Sequence, residues 1–163
     1  MDSATEPFQR LGMVLALLLA MMLRILPLDP PLSNLNPDWV ALVLLLSTLS
    51  MPERLGVFRA WLIGLCVDVL TARLLGQHAL AYSVMAYLSL RGRSSLIVLR
   101  KPVQMLWILG LLLLGQALVL WSGTSSLSTD FKFSYWYPSL TGALIWPFLL
   151  AVRDWMDPPG NPS

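Results

Sequence analysis

Apolar runs recur along this chain so closely that nothing large enough to fold by itself in water fits between them. They open near Leu11, Asp38, Leu55, Gln77, Val103 and Ser139, and short connections bearing prolines and charges separate them. Only 12% of the 163 residues are charged, against roughly 25% in an ordinary soluble domain, and 56% are hydrophobic. The chain therefore reads as an all-α, polytopic membrane protein forming a single integral membrane domain over residues 1–163.

Six transmembrane helices are expected, at about 11–28, 38–51, 55–72, 77–90, 103–121 and 139–152. Pro27, Pro30 and Pro31 end the first, and Pro52 closes the second. Pro102 opens the fifth, and Pro147 is expected to kink the sixth. Asp38, just after Pro37, suits the first turn of the second span. The aromatic group Phe131, Phe133, Tyr135, Trp136 and Tyr137 reads as an interfacial belt. Several spans fall short of the roughly 20 apolar residues of a full crossing, which implies tilt, local thinning or re-entrant segments packed inside the bundle. Five spans is the open alternative.

Orientation follows from the cations. With the N-terminus in the cytoplasm, Arg10, Arg54, Arg59, Arg91, Arg93, Arg100, Lys101 and Arg153 fall inside, and Arg24, Arg73 and Lys132 outside. Eight against three favours both termini cytoplasmic. The net charge of +2 is small and its cations sit in short connections, so no nucleic-acid partner is expected and the bilayer is the surface served.

The third span carries the feature the rest is organised around. Gly56, Ala60, Gly64, Asp68 and Ala72 fall four residues apart, so a stripe of small side chains leads to one carboxylate on an otherwise apolar helix. Small residues admit a close neighbouring backbone, whether a partner's or the chain's own. A carboxylate at membrane depth is costly unless paired or hydrated. A tight connection from Arg73 to Gly76 makes spans three and four a hairpin, and the topology brings Arg24, Asp38, Asp68, Arg73 and His78 to the outer half. The expected partners of Asp68 are His78, Arg73 and Arg24, in that order; the bland alternative has Asp68 reaching headgroup water. Cys66, the one cysteine, reads as a small buried hydrophobe.

No catalytic constellation is present. His78 is the one histidine and Asp68 the one acid well inside a span, so neither a Ser–His pair, an aspartate pair nor an H-E-x-x-H zinc helix can be assembled. No metal or cofactor is expected. An ion-coupled carrier is disfavoured by the lack of an internal repeat and the scarcity of polar residues.

Pro37-Asp38-Trp39-Val40, Met51-Pro52-Glu53-Arg54, the segment from Gly64 to Leu70 ending Asp68-Val69-Leu70, Leu75-Gly76-Gln77-His78-Ala79-Leu80-Ala81 with Ala86-Tyr87-Leu88, and Trp146-Pro147 followed by Arg153 together resemble the rod shape-determining protein MreD family over essentially the whole chain. Leu46-Ser47 departs from the aromatic pair the family often carries in span two. The resemblance implies a non-enzymatic inner-membrane subunit of the bacterial elongasome that binds MreC and helps organise peptidoglycan synthesis and cell shape. MreB, RodA and a class B penicillin-binding transpeptidase would be members of the same complex. It also implies a fold similar to the substrate-binding subunits of energy-coupling-factor transporters. That similarity gives the alternative function, a vitamin-transporter subunit docking through an A-x-x-x-A face at Ala16 and Ala20.

Overall fold

The computed structural model describes residues 5–29, 35–50, 55–122 and 133–156. Among these are six α-helices: α1 Thr5–Ile25, α2 Trp39–Ser50, α3 Val57–Leu70, α4 Gln77–Val98, α5 Lys101–Ser122 and α6 Tyr137–Met156. A 3₁₀ turn, Phe133–Trp136, leads into α6, and no strand occurs among the described residues. The C-terminal ends of α1, α3 and α5 and the N-terminal ends of α2, α4 and α6 all line one cavity, so successive helices alternate in direction. α2, α4, α5 and α6 close a four-helix ring, with α1 laid along α2 and α3 along α4.

Burial explains the short second helix. Val40, Leu42, Leu44 and Leu45 of α2 are fully buried among its neighbours. Twelve residues rise only about 18 Å, but a helix sheathed in protein need not match the hydrocarbon thickness. The expectation of a short segment packed inside the bundle fits α2 for this reason. A buried polar contact joins its Thr48 to Ser89 of α4 at 2.7 Å. Thr48 spends its hydroxyl proton on the Leu45 carbonyl, so Ser89 donates to Thr48.

The outer faces are apolar as well. α1 exposes Leu11, Leu15, Leu18 and Met22, α3 exposes Phe58, Trp61 and Leu62, and α6 exposes Leu140, Leu144 and Phe148. Helices apolar on both faces suit lipid and not water. By length and composition alone, α5 is the one described helix able to cross a bilayer, with 22 residues and a mean hydropathy of 2.1 over its most apolar window.

Several boundaries differ from the expectation. α1 begins at Thr5, ahead of the expected start at 11, and ends at Ile25, two residues before Pro27. α4 runs on past Leu90 to Val98, so Arg91 and Arg93 are helical instead of lying in a loop. No proline interrupts that stretch, and Arg93 Nε donates to the Leu49 carbonyl at 3.0 Å, joining α4 to the end of α2. α6 runs from Tyr137 through Pro147 to Met156, longer than 139–152. Asp38 is not in the first turn of α2 but caps it: its Oδ1 accepts the Ala41 N–H at 3.1 Å. The Met51–Arg54 block and Lys132 lie outside the described residues.

The small-residue stripe is shorter than its spacing suggested. Gly56 precedes α3, and Ala72 follows it with a left-handed φ of 49°. Arg73 N–H reaches the Asp68 carbonyl at 3.1 Å and Ala72 N–H that of Val69 at 3.2 Å, the paired bonds that close a helix. Ala60 and Gly64 remain, both buried. Gly64 lies against the first turn of α4: a Cβ there would overlap the Ala79 Cα and sit 2.7 Å from the His78 carbonyl carbon. Backbone cannot yield as a side-chain tip can, so this contact is internal to the chain. Cys66, two residues from both Gly64 and Asp68, faces outward and is exposed, contrary to its expected burial.

Gly64→Leu is therefore expected to destabilise the chain by about 3 kcal/mol or more, the upper range of overpacking. Gly110→Ala, where an added Cβ meets nothing within 4 Å, should leave stability unchanged or raise it by up to about 1 kcal/mol. Thermal unfolding in detergent, read alongside monodispersity, checks both.

Candidate functional site

Asp68 ends one helix and caps the next. Gly76, at the N-cap of α4 with φ of 104°, has no side chain to receive the free N–H groups there. Asp68 supplies the missing acceptor from across the hairpin. Its Oδ2 takes the Gly76 N–H at 2.8 Å and the Ala79 N–H at 3.4 Å, and its Oδ1 takes the His78 N–H at 2.9 Å. The carboxylate is completely buried, and the positive end of the α4 dipole stabilises its charge.

The same Oδ1 lies 2.7 Å from His78 Nδ1. On the far side of the imidazole, Arg24 Nη2 is 2.7 Å from Nε2. A guanidinium only donates, so Nε2 must accept; the proton sits on Nδ1 and goes to Asp68, and the ring is neutral. Arg24 Nη1 reaches on to Asp38 Oδ1 at 2.9 Å, and the Tyr82 hydroxyl bonds the Asp38 carboxylate at 2.9 Å. Asp68, His78, Arg24, Asp38 and Tyr82 thus form one connected chain drawn from α3, α4, α1 and the N-cap of α2.

Arg24, Asp38, His78 and Tyr82 of this network line one wall of a cavity of about 620 Å³. Ala41, Met85 and Leu112 line its apolar part, and Asn36, Arg73, Gln116, Tyr135 and Ser139 its polar part. Gln116 Nε2 donates to the Tyr135 carbonyl at 3.1 Å, and Ser139 donates to Gln116 Oε1, tying the start of α6 to α5. Around the cavity the Arg24 and Arg73 guanidinium groups stand with the Asp38 and Asp68 carboxylates. Among the described residues no three His, Cys, Asp or Glu side chains gather closely enough to hold a metal ion.

Residues 7–156 match the model of the rod shape-determining protein MreD family. The chain belongs to the MreD family. A rod shape-determining protein MreD from Haemophilus influenzae is 33% identical over 70 residues, a match covering 43% of each chain. The matched part is thus less than half of that relative's length. No solved structure matches the chain. MreD proteins are membrane proteins, and the family is named for rod shape determination.

In this MreD chain the expected outer residues fall into different roles. His78 bonds Asp68 directly, and Arg24 reaches it only through His78. Arg73 meets Asp68 through its backbone N–H alone, because the left-handed turn at Ala72 carries its side chain to the cavity. Gly64 and Ala60 are packing residues, and Gly56 precedes the helix. Tyr135, expected in an interfacial belt, is half-buried on the cavity wall. Ala20 is buried and Ala16 half-buried, so the A-x-x-x-A pair does not present an outward face. Sequence reasoning missed Tyr82 and the three backbone donors to Asp68. Tyr82 was findable, since it lies four residues after His78 on the same helical face.

Asp68→Ala leaves the Gly76 and His78 N–H groups buried without an acceptor and should cost about 1–3 kcal/mol; Asp68→Asn, which keeps one acceptor oxygen, should cost less. At about 2–4 °C per kcal/mol for a chain of this size, the midpoint difference between the two variants is measurable by thermal unfolding. Equal midpoints for wild type and Asp68→Ala would remove the capping role.

Proposed function

We propose that this MreD chain is a non-enzymatic adaptor of the bacterial cell-elongation complex. It would cross the inner membrane six times, with both termini cytoplasmic, and receive MreC at the cavity. MreB, RodA and a class B penicillin-binding transpeptidase would join through the assembly built on that contact, organising peptidoglycan synthesis and cell shape. The observation that carries the reading is the cavity itself. Every helix contributes an end to it, its polar chain is fixed before any partner arrives, and it lies at the end with the fewer cations. Arg59, Arg91, Arg93, Arg100, Lys101 and Arg153 belong to the opposite end, and their excess of positive charge supports a cytoplasmic position for it. The cavity then opens outward, where a single-span partner with a periplasmic domain can enter it. A concave site of this size, part apolar and part polar, suits a docked polypeptide segment.

The same cavity is the one feature that favours a solute-binding transporter subunit. Its alternating charges are already satisfied by one another, which suits a shaped docking site more than a solute pocket with free polar groups.

Two measurements test the proposal. Reporter fusions after Arg100 and after Lys132 should report inside and outside respectively; a cytoplasmic signal after Lys132 would overturn the topology. Arg73→Glu reverses an exposed charge at the cavity, where surface substitutions shift stability by about 0.5 kcal/mol or less. It should weaken MreC capture about tenfold, equivalent to about 1.4 kcal/mol, while the protein stays folded. Unchanged capture would move the docking site elsewhere, and specific binding of a vitamin-sized solute by the purified wild type would favour the transporter reading.

A further inference from the structure

His78 is held by opposite demands. Its Nδ1 gives a proton to Asp68 at 2.7 Å, while its Nε2 must stay bare to accept Arg24 at 2.7 Å. Only one ionisation state of imidazole meets both, the neutral ring with the proton on Nδ1. A second proton has one place to go, Nε2, where it would set two donors face to face. The bond to Asp68 survives that change and becomes a full ion pair. The bond to Arg24 does not survive it.

Arg24 has somewhere to go. Its Nη1 already contacts Asp38 at 2.9 Å, so the guanidinium can leave His78 without becoming an unpaired charge. α1 packs along α2, and Arg24–His78 is the polar tie by which its end reaches α4. Releasing that tie leaves the end of α1 held by Asp38 and by its packing along α2. His78 lines the cavity, which gives protons a route to the ring.

The groups facing His78 are few. Arg24 from α1 and Asp38 from the start of α2 lie on the Nε2 side, and Asp68 from α3 on the Nδ1 side. Tyr82, one turn along α4, stands edge-on with ring centroids 5.7 Å apart. Arg73 of the α3–α4 connection and Tyr135, with the neutral Gln116 and Ser139, share the cavity from its other sides. Of these groups, Asp68 favours a proton on the ring and Arg24 opposes a second one at Nε2.

We infer that His78 is a proton-responsive latch between α1 and α4: neutral, it holds the end of α1 across the cavity; protonated, it keeps Asp68 and releases Arg24, loosening the cavity wall. Its regulatory meaning rests on the cavity being the docking site for MreC. Acidification outside the cell would then alter the site before any partner met it.

The chain has a single histidine, so ¹⁵N-labelled histidine reports on His78 alone. The full chain in lipid nanodiscs, without partner, should give two well-separated ring resonances near about pH 7.5, with the proton on Nδ1. Lowering to about pH 5 should merge them toward the imidazolium pair. Over the same range, spin labels at Leu26→Cys and Leu80→Cys, in a Cys66→Ala background, should move apart. His78→Gln imitates the neutral ring, its amide donating to Asp68 and its carbonyl accepting Arg24, and should hold the labels at their neutral-pH separation throughout. A proton found on Nε2 near neutrality, a ring that does not titrate by about pH 5, or titration without label movement would each overturn the latch. Absence of MreC capture at every pH would instead overturn the docking reading, and the partner-free resonances would still decide the latch.

Discussion

The contact between the Asp68 carboxylate and the first turn of α4 fixes more of this molecule than any other. An aspartate at the centre of a membrane helix costs about 2.5–3.5 kcal/mol on insertion scales, and one in the last turn, as Asp68 is, costs less. Hydrogen bonds to a charged group contribute about 1.5–3 kcal/mol each, so backbone donors and the His78 ring together offset that cost. The contact also needs geometry. Asp68 reaches Gly76 only because left-handed residues at Ala72 and Gly76 fold the connection back, and α3 lies close enough to α4 only because Gly64 has no side chain. The acceptor, the turn and the glycine are a single device.

From that device the polar chain extends by donor and acceptor logic. Asp68 claims the Nδ1 proton, leaving Nε2 to accept Arg24, and Arg24 in turn brings the N-terminus of α2 into line through Asp38. Asp38 is itself anchored by the Ala41 N–H and the Tyr82 hydroxyl. Each ionised group thereby has a partner on another helix. In a medium of low dielectric such links hold helix ends in register, a task that uniform apolar packing does poorly. At the other end of the bundle Lys101 opens α5 and Arg153 lies in the last turn of α6.

Much of this was legible in the sequence, and the reasons differ by element. Prolines and apolar runs pointed to an all-α chain, and the six described helices overlap the expected segments; the small stripe with its carboxylate pointed to the α3–α4 hairpin and to His78 as the partner of Asp68. Helix lengths were less legible. Hydropathy falls at Arg91, but a helix continues wherever backbone bonds continue, and arginine is a good helix former. The loss of Ala72 from the stripe depended on where α3 ends, which only the left-handed turn decided, whereas the outward face of Cys66 follows from its spacing of two from Gly64 and Asp68. The spacing of four from His78 puts Tyr82 on the same helical face, but the sequence does not show that Asp38 stands opposite its hydroxyl. The backbone donors to Asp68 have no side-chain signature at all, since a distant carboxylate replaces the usual capping residue at Gly76.

The shortness of α3 has a consequence outside the protein. Unlike α2, it turns an apolar face outward, and its 14 residues rise only about 21 Å against a hydrocarbon layer of about 30 Å. In the six-span arrangement proposed above, lipids beside α3 must shorten their reach, and a strip of thinned bilayer runs along that flank. Such a strip is costly to maintain alone and less costly when shared, so other proteins with short apolar belts would tend to gather there. The membrane would then contribute to who stands next to this protein, without any residue of the neighbour being recognised.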